Sequence, residues 1–142
     1  MRQREIDGIL IFEAEGRLVM GTVLISVQEA IETEINSGRA RQILNLRQVS
    51  FIDSSALGML VLLHTNAATA GGALKLLHLS PRHLELLVLT KLTGVFEIFD
   101  DEQEAINSFY PEREVRHFDI LEFVKSQENE EQAVGEPADE ER

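Results

Sequence analysis

The sequence contains no cysteine or tryptophan and only three prolines among its 142 residues. The absence of cysteine excludes disulfide bonds, thiolate metal sites and cysteine nucleophiles. Aromatic residues make up 6% of the chain, whereas hydrophobic residues together make up 44%. The core must therefore consist mainly of leucine, isoleucine and valine, and the length is that of one domain.

Positive charge is scarce as well. The chain has 13 basic residues against 25 acidic ones and a formal net charge of -12. Binding to a nucleic-acid backbone needs clustered lysine and arginine, so this balance argues against a nucleic-acid partner. Residues 127–142 are strongly acidic and contain almost no large apolar side chains. Because such a segment cannot offset its ordering entropy, we predict that it is a disordered acidic tail.

Long apolar runs are absent. The longest, Ala56–Leu63, is interrupted by Gly58 and is far shorter than the roughly 20 residues that a membrane-spanning helix needs. The basic residues 1–4 are not followed by the apolar stretch and small-residue cleavage site of a secretory signal. We therefore predict a cytoplasmic protein that does not insert into a membrane.

The hydrophobic pattern of the first part of the chain predicts a hairpin followed by a helix. Two short apolar runs, Ile9–Phe12 and Arg17–Val19, are separated by a segment that ends at Gly16, which suits a turn. Apolar residues then recur at helical spacing from Leu24 to Ile35.

Strands and helices alternate from there onward. The pattern predicts a strand over residues 42–46, a loop over 47–52, and a helix from Ser54 to about Ala70 with Asp53 as its N-cap. Further elements are expected over the following ranges: a strand at 73–79, a helix at 81–89, a strand at 95–99 and a helix at 101–109.

This alternation predicts an α/β fold, a small sandwich with a mixed sheet of about four to five strands and four helices. Residues 1–110 would form the domain. Residues 111–126 would be a C-terminal extension, in which Val115, Phe118, Leu121 and Val124 are spaced as on one side of a short helix.

The helix after Asp53 has two predicted faces. The residues expected to face the sheet are Leu57, Leu60, Val61, His64, Ala67 and Ala68. Those expected to point away are Gly58, Met59, Leu62, Asn66 and Thr69. Exposed methionine and leucine beside the helix start would suit a protein partner, and cover by other elements of the fold is the alternative.

Residues 45–58, which include Asp53-Ser54-Ser55-Ala56-Leu57-Gly58, resemble the signature of the STAS family of anti-sigma factor antagonists. Further segments with the same resemblance are Gly71-Gly72, Leu79-Ser80-Pro81 and residues 89–92, so that it covers roughly residues 5–110. Three positions depart from the family pattern: Ala56 replaces a glycine, and Val19 and Asn45 stand where many members have aspartate.

The resemblance implies that Ser54 is a phosphorylation site. It also implies a partner switch, in which the protein binds an anti-sigma factor that is a serine kinase and is reactivated by a serine phosphatase. The predicted partner-binding residues are Asp53, Ser54, Ser55, Gly58, Met59 and Leu62. On the residues alone, Asp53 is simply a helix cap and Ser54 an ordinary first-turn residue.

Other chemistry finds little support in the sequence. None of the four histidines has a second ligand at zinc-motif spacing, and there is no nucleophile elbow or phosphate-binding loop. We therefore expect no catalytic residues, no metal site, no cofactor and no enzymatic activity. Two alternatives to the switch remain open: a STAS subunit of a lipid-transporting ABC system, and a component of a stress-complex scaffold.

Overall fold

The computed structural model describes residues 1–113, 115 and 120–125. Its mixed five-stranded sheet has the order β1-β2-β3-β4-β5, in which only the β1–β2 pair is antiparallel. The strands are β1 Arg2–Ile6, β2 Ile9–Leu18, β3 Arg41–Ile52, β4 Ala73–Leu77 and β5 Ile98–Phe99. The helices are α1 Thr22–Asn36, α2 Ser54–Thr69, α3 Pro81–Leu89, α4 Glu102–Asn107 and α5, residues 120–125. The predicted α/β fold class is confirmed.

The two faces of the sheet bury two separate clusters. On β2, Leu10 and Phe12 belong to the larger cluster, with side chains of α1, α2 and α3. The alternate residues Ile9 and Ile11 belong to the smaller cluster, which contains Ala105 of α4. Successive side chains of a strand point to opposite faces, so both clusters are built from the same strands. No helix among the described residues is long and apolar enough to cross a membrane.

The predicted hairpin around Gly16 is wrong. The chain instead turns at Asp7-Gly8, where both residues have positive φ values of 54° and 81°, and β2 continues through Gly16 to Leu18. The pairing register of β2 and β3 shifts next to Gly16. The glycine therefore lies at an irregularity of the ladder, and the strand continues past it. Strand β1 was not predicted from the sequence, because its residues are mostly charged.

The predicted loop over residues 47–52 is also wrong, since β3 continues to Ile52. Pairing with β4 stops at Asn45, but β3 stays paired with β2 as far as the Leu18–Ile52 pair. Val49 and Ile52 are buried, whereas the other residues of the segment 47–52 are exposed. The buried positions of this extension follow no regular alternation. Its sequence therefore resembles that of a loop.

The later elements are shorter than predicted, except for α3, whose predicted bounds are confirmed. The strand predicted to reach residue 79 ends at Leu77, because His78 has a φ of 60°. At the end of α2, Gly72 lies so close to the backbone of Ala40 that no side chain fits there.

The structure describes part of the predicted C-terminal extension and none of the predicted acidic tail. Ile120 and Phe123 of α5 pack against the larger cluster, and Val115 packs against the smaller one. The domain boundary at residue 110 stays a prediction. The predicted acidic tail, residues 127–142, lies outside the described residues.

Candidate functional site

Asp53 joins three elements at one end of the sheet. Its backbone is extended, with φ -97° and ψ -179°, and its amide donates to the carbonyl of Leu18 at 3.1 Å. One carboxylate oxygen accepts a hydrogen bond from the amide of Ala56 at 2.8 Å. The other accepts from the amide of Met20 at 3.0 Å. The carboxylate therefore caps α2 and also holds the loop between β2 and α1.

These hydrogen bonds favour the charged form of Asp53. The amide of Ala56 has the largest effect, followed by the amide of Met20, and together they lower the pKa of the Asp53 carboxyl below its ordinary value. At neutral pH a negative charge thus lies directly beside Ser54.

Ser54 is the first residue of α2 and is exposed to solvent. The first-turn amides of a helix have no partners within the helix, and the dipole of α2, 16 residues long, places partial positive charge there. No acidic side chain lies in the first turn of α2. The position of Ser54 is therefore electrostatically suited to a phosphate group, although the preceding Asp53 carries charge of the same sign as phosphate.

A stripe of exposed residues runs from Ser54 along α2 through Gly58 to Leu62, whose side chain is 47% exposed. The helix contains no aspartate, glutamate, lysine or arginine. A Cβ atom added at Gly58 would meet no atom within 4 Å. Nothing inside the domain therefore requires glycine at this position, and the stripe offers a shallow, uncharged surface.

Met59, predicted to bind a partner, is buried at 5% exposure, so its predicted position is wrong. The residues of α2 that face the core are Ala56, Met59, Leu60, Leu63 and Ala67. Leu57, Val61 and His64 are only half-buried and Ala68 is exposed, so the predicted inner face was rotated about the helix axis. Of the other predicted contacts, Ser55 and Asp53 are half-buried.

Nothing in the sequence indicated that Met20 belongs to the site. In the structure, Met20 is 76% exposed. The amide of Met20 binds Asp53, so the backbone of Met20 lies beside the start of α2. The pairing of Leu18 with Ile52 produces this contact between residues far apart in sequence. We call the residues Met20, Asp53, Ser54, Gly58 and Leu62 the switch surface.

The described histidines, His64, His78 and His83, do not belong to a cluster that could hold a metal ion. Within the part of the chain that the structure describes, no three histidine, aspartate or glutamate side chains are grouped so as to hold a metal ion. His64 instead meets the ring of Phe96 edge-on, with 5.3 Å between the ring centroids.

Comparison with known proteins places the chain in a family. A sequence profile of the STAS domain matches residues 1–105. The chain belongs to the STAS domain family. A STAS-domain containing protein of Pseudomonas aeruginosa is 34% identical over 58 residues, which are 41% of this chain. The match spans 57% of the length of that relative.

Several solved structures share the fold. An anti-sigma factor antagonist from Mycobacterium paratuberculosis has a TM-score of 0.67 at 18% identity, covering 76% of this chain and 91% of its own. The Bacillus cell fate determinant SpoIIAA, solved in its phosphorylated form, has a TM-score of 0.62 at 23% identity, covering 75% and 96%. A sulfate transporter family protein from Wolinella succinogenes has a TM-score of 0.59 at 17% identity, covering 84% and 90%. At these identities the likeness shows the fold, which is found in both kinds of protein.

Proposed function

We propose that this STAS domain is an anti-sigma factor antagonist controlled by phosphorylation of Ser54. In its unphosphorylated form it binds an anti-sigma factor that is also a serine kinase, through the switch surface, and so frees a sigma factor for transcription. The observation that carries the proposal is the exposed position of Ser54 at the N-terminus of a long, uncharged helix. The similarity to SpoIIAA, which is described as an anti-sigma factor antagonist and has been solved with and without phosphate, supports it.

Phosphorylation would change the surface and leave the fold intact. A phosphate adds nearly two negative charges and three acceptor oxygens, which the first-turn amides of α2 stabilise. Its charge adds to that of Asp53 and falls on a stripe that is otherwise uncharged. Mismatched charge at an interface costs several kcal/mol, and about 1.4 kcal/mol is tenfold in affinity. One phosphate is therefore sufficient to release the partner, and a serine phosphatase would restore binding.

The first test is the site of modification. Incubation with ATP and the cognate kinase should add one phosphate, located at Ser54 by mass spectrometry. Ser55→Ala is the matched control and should accept phosphate like the wild type, whereas Ser54→Ala should not. Phosphate found on Ser55, or none with the true kinase, would refute the assignment.

The second test is partner affinity. Ser54→Asp should weaken the complex with the anti-sigma factor, and Ser54→Ala should retain it and become insensitive to ATP. Calorimetric titration measures both. Equal binding by both variants would place Ser54 outside the interface.

The sulfate transporter family structure supports a second candidate, in which the same helix docks on a membrane transport system without being phosphorylated. A STAS subunit of a lipid-transporting ABC system, the alternative left open by the sequence, is one form of this candidate. Copurification with an ATPase and membrane proteins would support this candidate, and an anti-sigma factor would support the first. Elution as a very large assembly would instead indicate a stress-complex scaffold.

A further inference from the structure

A groove of about 300 Å³ lies between the end of β3 and helix α3. The apolar part of its lining comes from Phe51, Ile52, Leu86 and Leu89. Leu89 is 72% exposed and Phe51 is 38% exposed. Exposed apolar side chains that line one concave surface are a mark of an interaction site. We call this feature the α3 groove.

Two charged residues of opposite sign lie on the same surface. Arg82 and Glu85 both line the α3 groove, and both are exposed. They are three residues apart on α3, so they lie on the side of the helix that carries Leu86 and Leu89. No ion pair within the described part of the chain involves either side chain. The two charges cancel in the lining, so neither an acidic nor a basic occupant is favoured.

One positive and one negative charge on a single surface match a second copy of that surface. In a two-fold symmetric contact, residue i of one copy meets residue j of the other, and j meets i in return. If the two α3 helices are antiparallel, Arg82 of each copy can meet Glu85 of the other copy. A parallel pair would instead bring like charges together. The charges of the α3 groove therefore favour self-association and select its antiparallel form.

The overall charge of the chain does not prevent this contact. Two chains with a formal net charge of -12 repel each other, but at physiological salt exposed charges are largely screened beyond about 8 Å. Direct contacts at the α3 groove act over shorter distances than that. Burial of Leu89 and Phe51 supplies the apolar contribution, which salt does not screen.

We propose that the α3 groove is the interface of a homodimer, in which two antiparallel copies of α3 pack groove to groove with reciprocal contacts between Arg82 and Glu85. Seven residues line the groove, whereas a stable complex uses roughly 20–30 residues on each side. The dimer is therefore weak, with a dissociation constant of about 0.1–1 mM. It requires neither phosphorylation of Ser54 nor an anti-sigma factor, so it goes beyond the proposed switch.

Charge reversal tests the reciprocal contact. Sedimentation equilibrium of the wild-type chain up to about 1 mM should show a monomer–dimer equilibrium. Arg82→Glu alone and Glu85→Arg alone should each weaken self-association about tenfold or more, because both ion pairs of the dimer become like-charge contacts. An equimolar mixture of the two variants should form a one-to-one heterodimer. The double variant Arg82→Glu/Glu85→Arg should dimerise like the wild type.

Two exposed leucines separate the apolar contact from folding. Leu89→Ala should weaken the dimer about tenfold or more, since each copy loses a side chain that is buried on association. Its melting temperature should change by no more than about two degrees, because Leu89 is exposed in the monomer. Leu121→Ala is the matched control. Leu121 is 65% exposed and lies outside the groove lining, so this variant should dimerise like the wild type.

NMR spectra at increasing protein concentration locate the interface, and the signals of Phe51, Leu86 and Leu89 should shift. Three results would overturn the proposal: a chain that stays monomeric at about 1 mM, concentration-dependent shifts confined to α2, or no heterodimer in the mixture of charge variants. A monomeric chain whose groove signals shift with octanoate would assign the groove to a small apolar ligand instead. All measurements use the full chain carrying Ser54→Ala, without kinase or partner, so their failure is distinct from failure of the phosphorylation switch.

Discussion

At the scale of single residues, Asp53 combines a structural and an electrostatic role. Its bond to Ala56 is the N-cap that the sequence predicts. Its bond to Met20 could not be predicted, because it depends on the pairing of β2 with the far end of β3. The carboxylate of Asp53 is thus bound by amides of two separate segments. The geometry at the start of α2, beside Ser54, depends on these bonds.

Asp53→Ala should lower the melting temperature, because it removes an acceptor from two backbone amides. Asp53→Asn retains a capping oxygen and should cost less. Since the folded-state pKa of Asp53 lies below the ordinary value of 3.8, its stabilisation is present above that value and is lost as the pH falls through the folded pKa. Denaturation followed from pH 7 to pH 3 should show the difference between wild type and Asp53→Asn shrinking only in the acidic range.

Met59 and Leu62 provide a second residue-scale prediction, since one is 5% exposed and the other 47%. Met59→Ala should cost about 2–5 kcal/mol of unfolding free energy, because it leaves a cavity in the core. Leu62→Ala should cost less than about 1 kcal/mol and instead weaken the partner complex. Urea denaturation and a binding titration of both variants check this. A large loss of stability in Leu62→Ala alone would contradict the burial of the two side chains.

His83 should make stability depend on pH near neutrality. Its folded-state pKa is lowered by burial, so the unfolded chain binds more protons and stability should rise with pH up to about 6.5, the ordinary histidine value. His78, whose pKa is also lowered by burial, acts in the same direction. Melting curves between pH 5 and pH 8 should show a shallower slope for His83→Leu than for the wild type.

At the scale of elements, helices with clear end signals were predictable and strand lengths were not. Ser80 and Pro81 fix the start of α3, as Asp53 fixes that of α2. The inner face of α2 was misjudged because positions 57, 59, 60, 61, 62 and 63 are all apolar. A helix that is apolar nearly all round carries no strong periodic signal, so tertiary packing decides its rotation and buries the small Ala56.

Gly58 allows a test of the exposed stripe on α2. Glycine inside a helix costs about 1 kcal/mol relative to alanine, and the space beside Gly58 is open. Gly58→Ala should therefore stabilise the domain by up to about 1 kcal/mol while weakening the partner complex through the added methyl group. Thermal melting and calorimetric titration measure the two effects. A stabilised variant with unchanged affinity would remove Gly58 from the interface.

At the scale of the whole molecule, the sequence motifs and the alternation of elements were sufficient to predict the family and the fold class. They could not predict the order of the strands in the sheet, because the pairing of strands distant in sequence is a property of the packed chain. The acidic segment 127–142 stays a prediction from composition alone.

Truncation after Ser126 should shift the melting temperature by no more than about one or two degrees, as expected for a segment with little apolar area to bury. It should change the association rate with a charged partner more at low salt than at high salt, because salt screens charges beyond about 8–10 Å. Stopped-flow measurements at two ionic strengths check this. A drop of many degrees on truncation would show that the tail packs on the domain.

The two edges of the sheet have a consequence for behaviour at high concentration. β1 is a short strand of mostly charged residues, and Arg4 pairs with Glu13 and Glu102 at 3.2 and 2.6 Å. β5, at the opposite edge, has only two residues. Short or charged edges discourage the addition of further strands. Edge-to-edge growth of the sheet into fibres is therefore disfavoured even at high protein concentration, although the exposed stripe on α2 remains open to a partner.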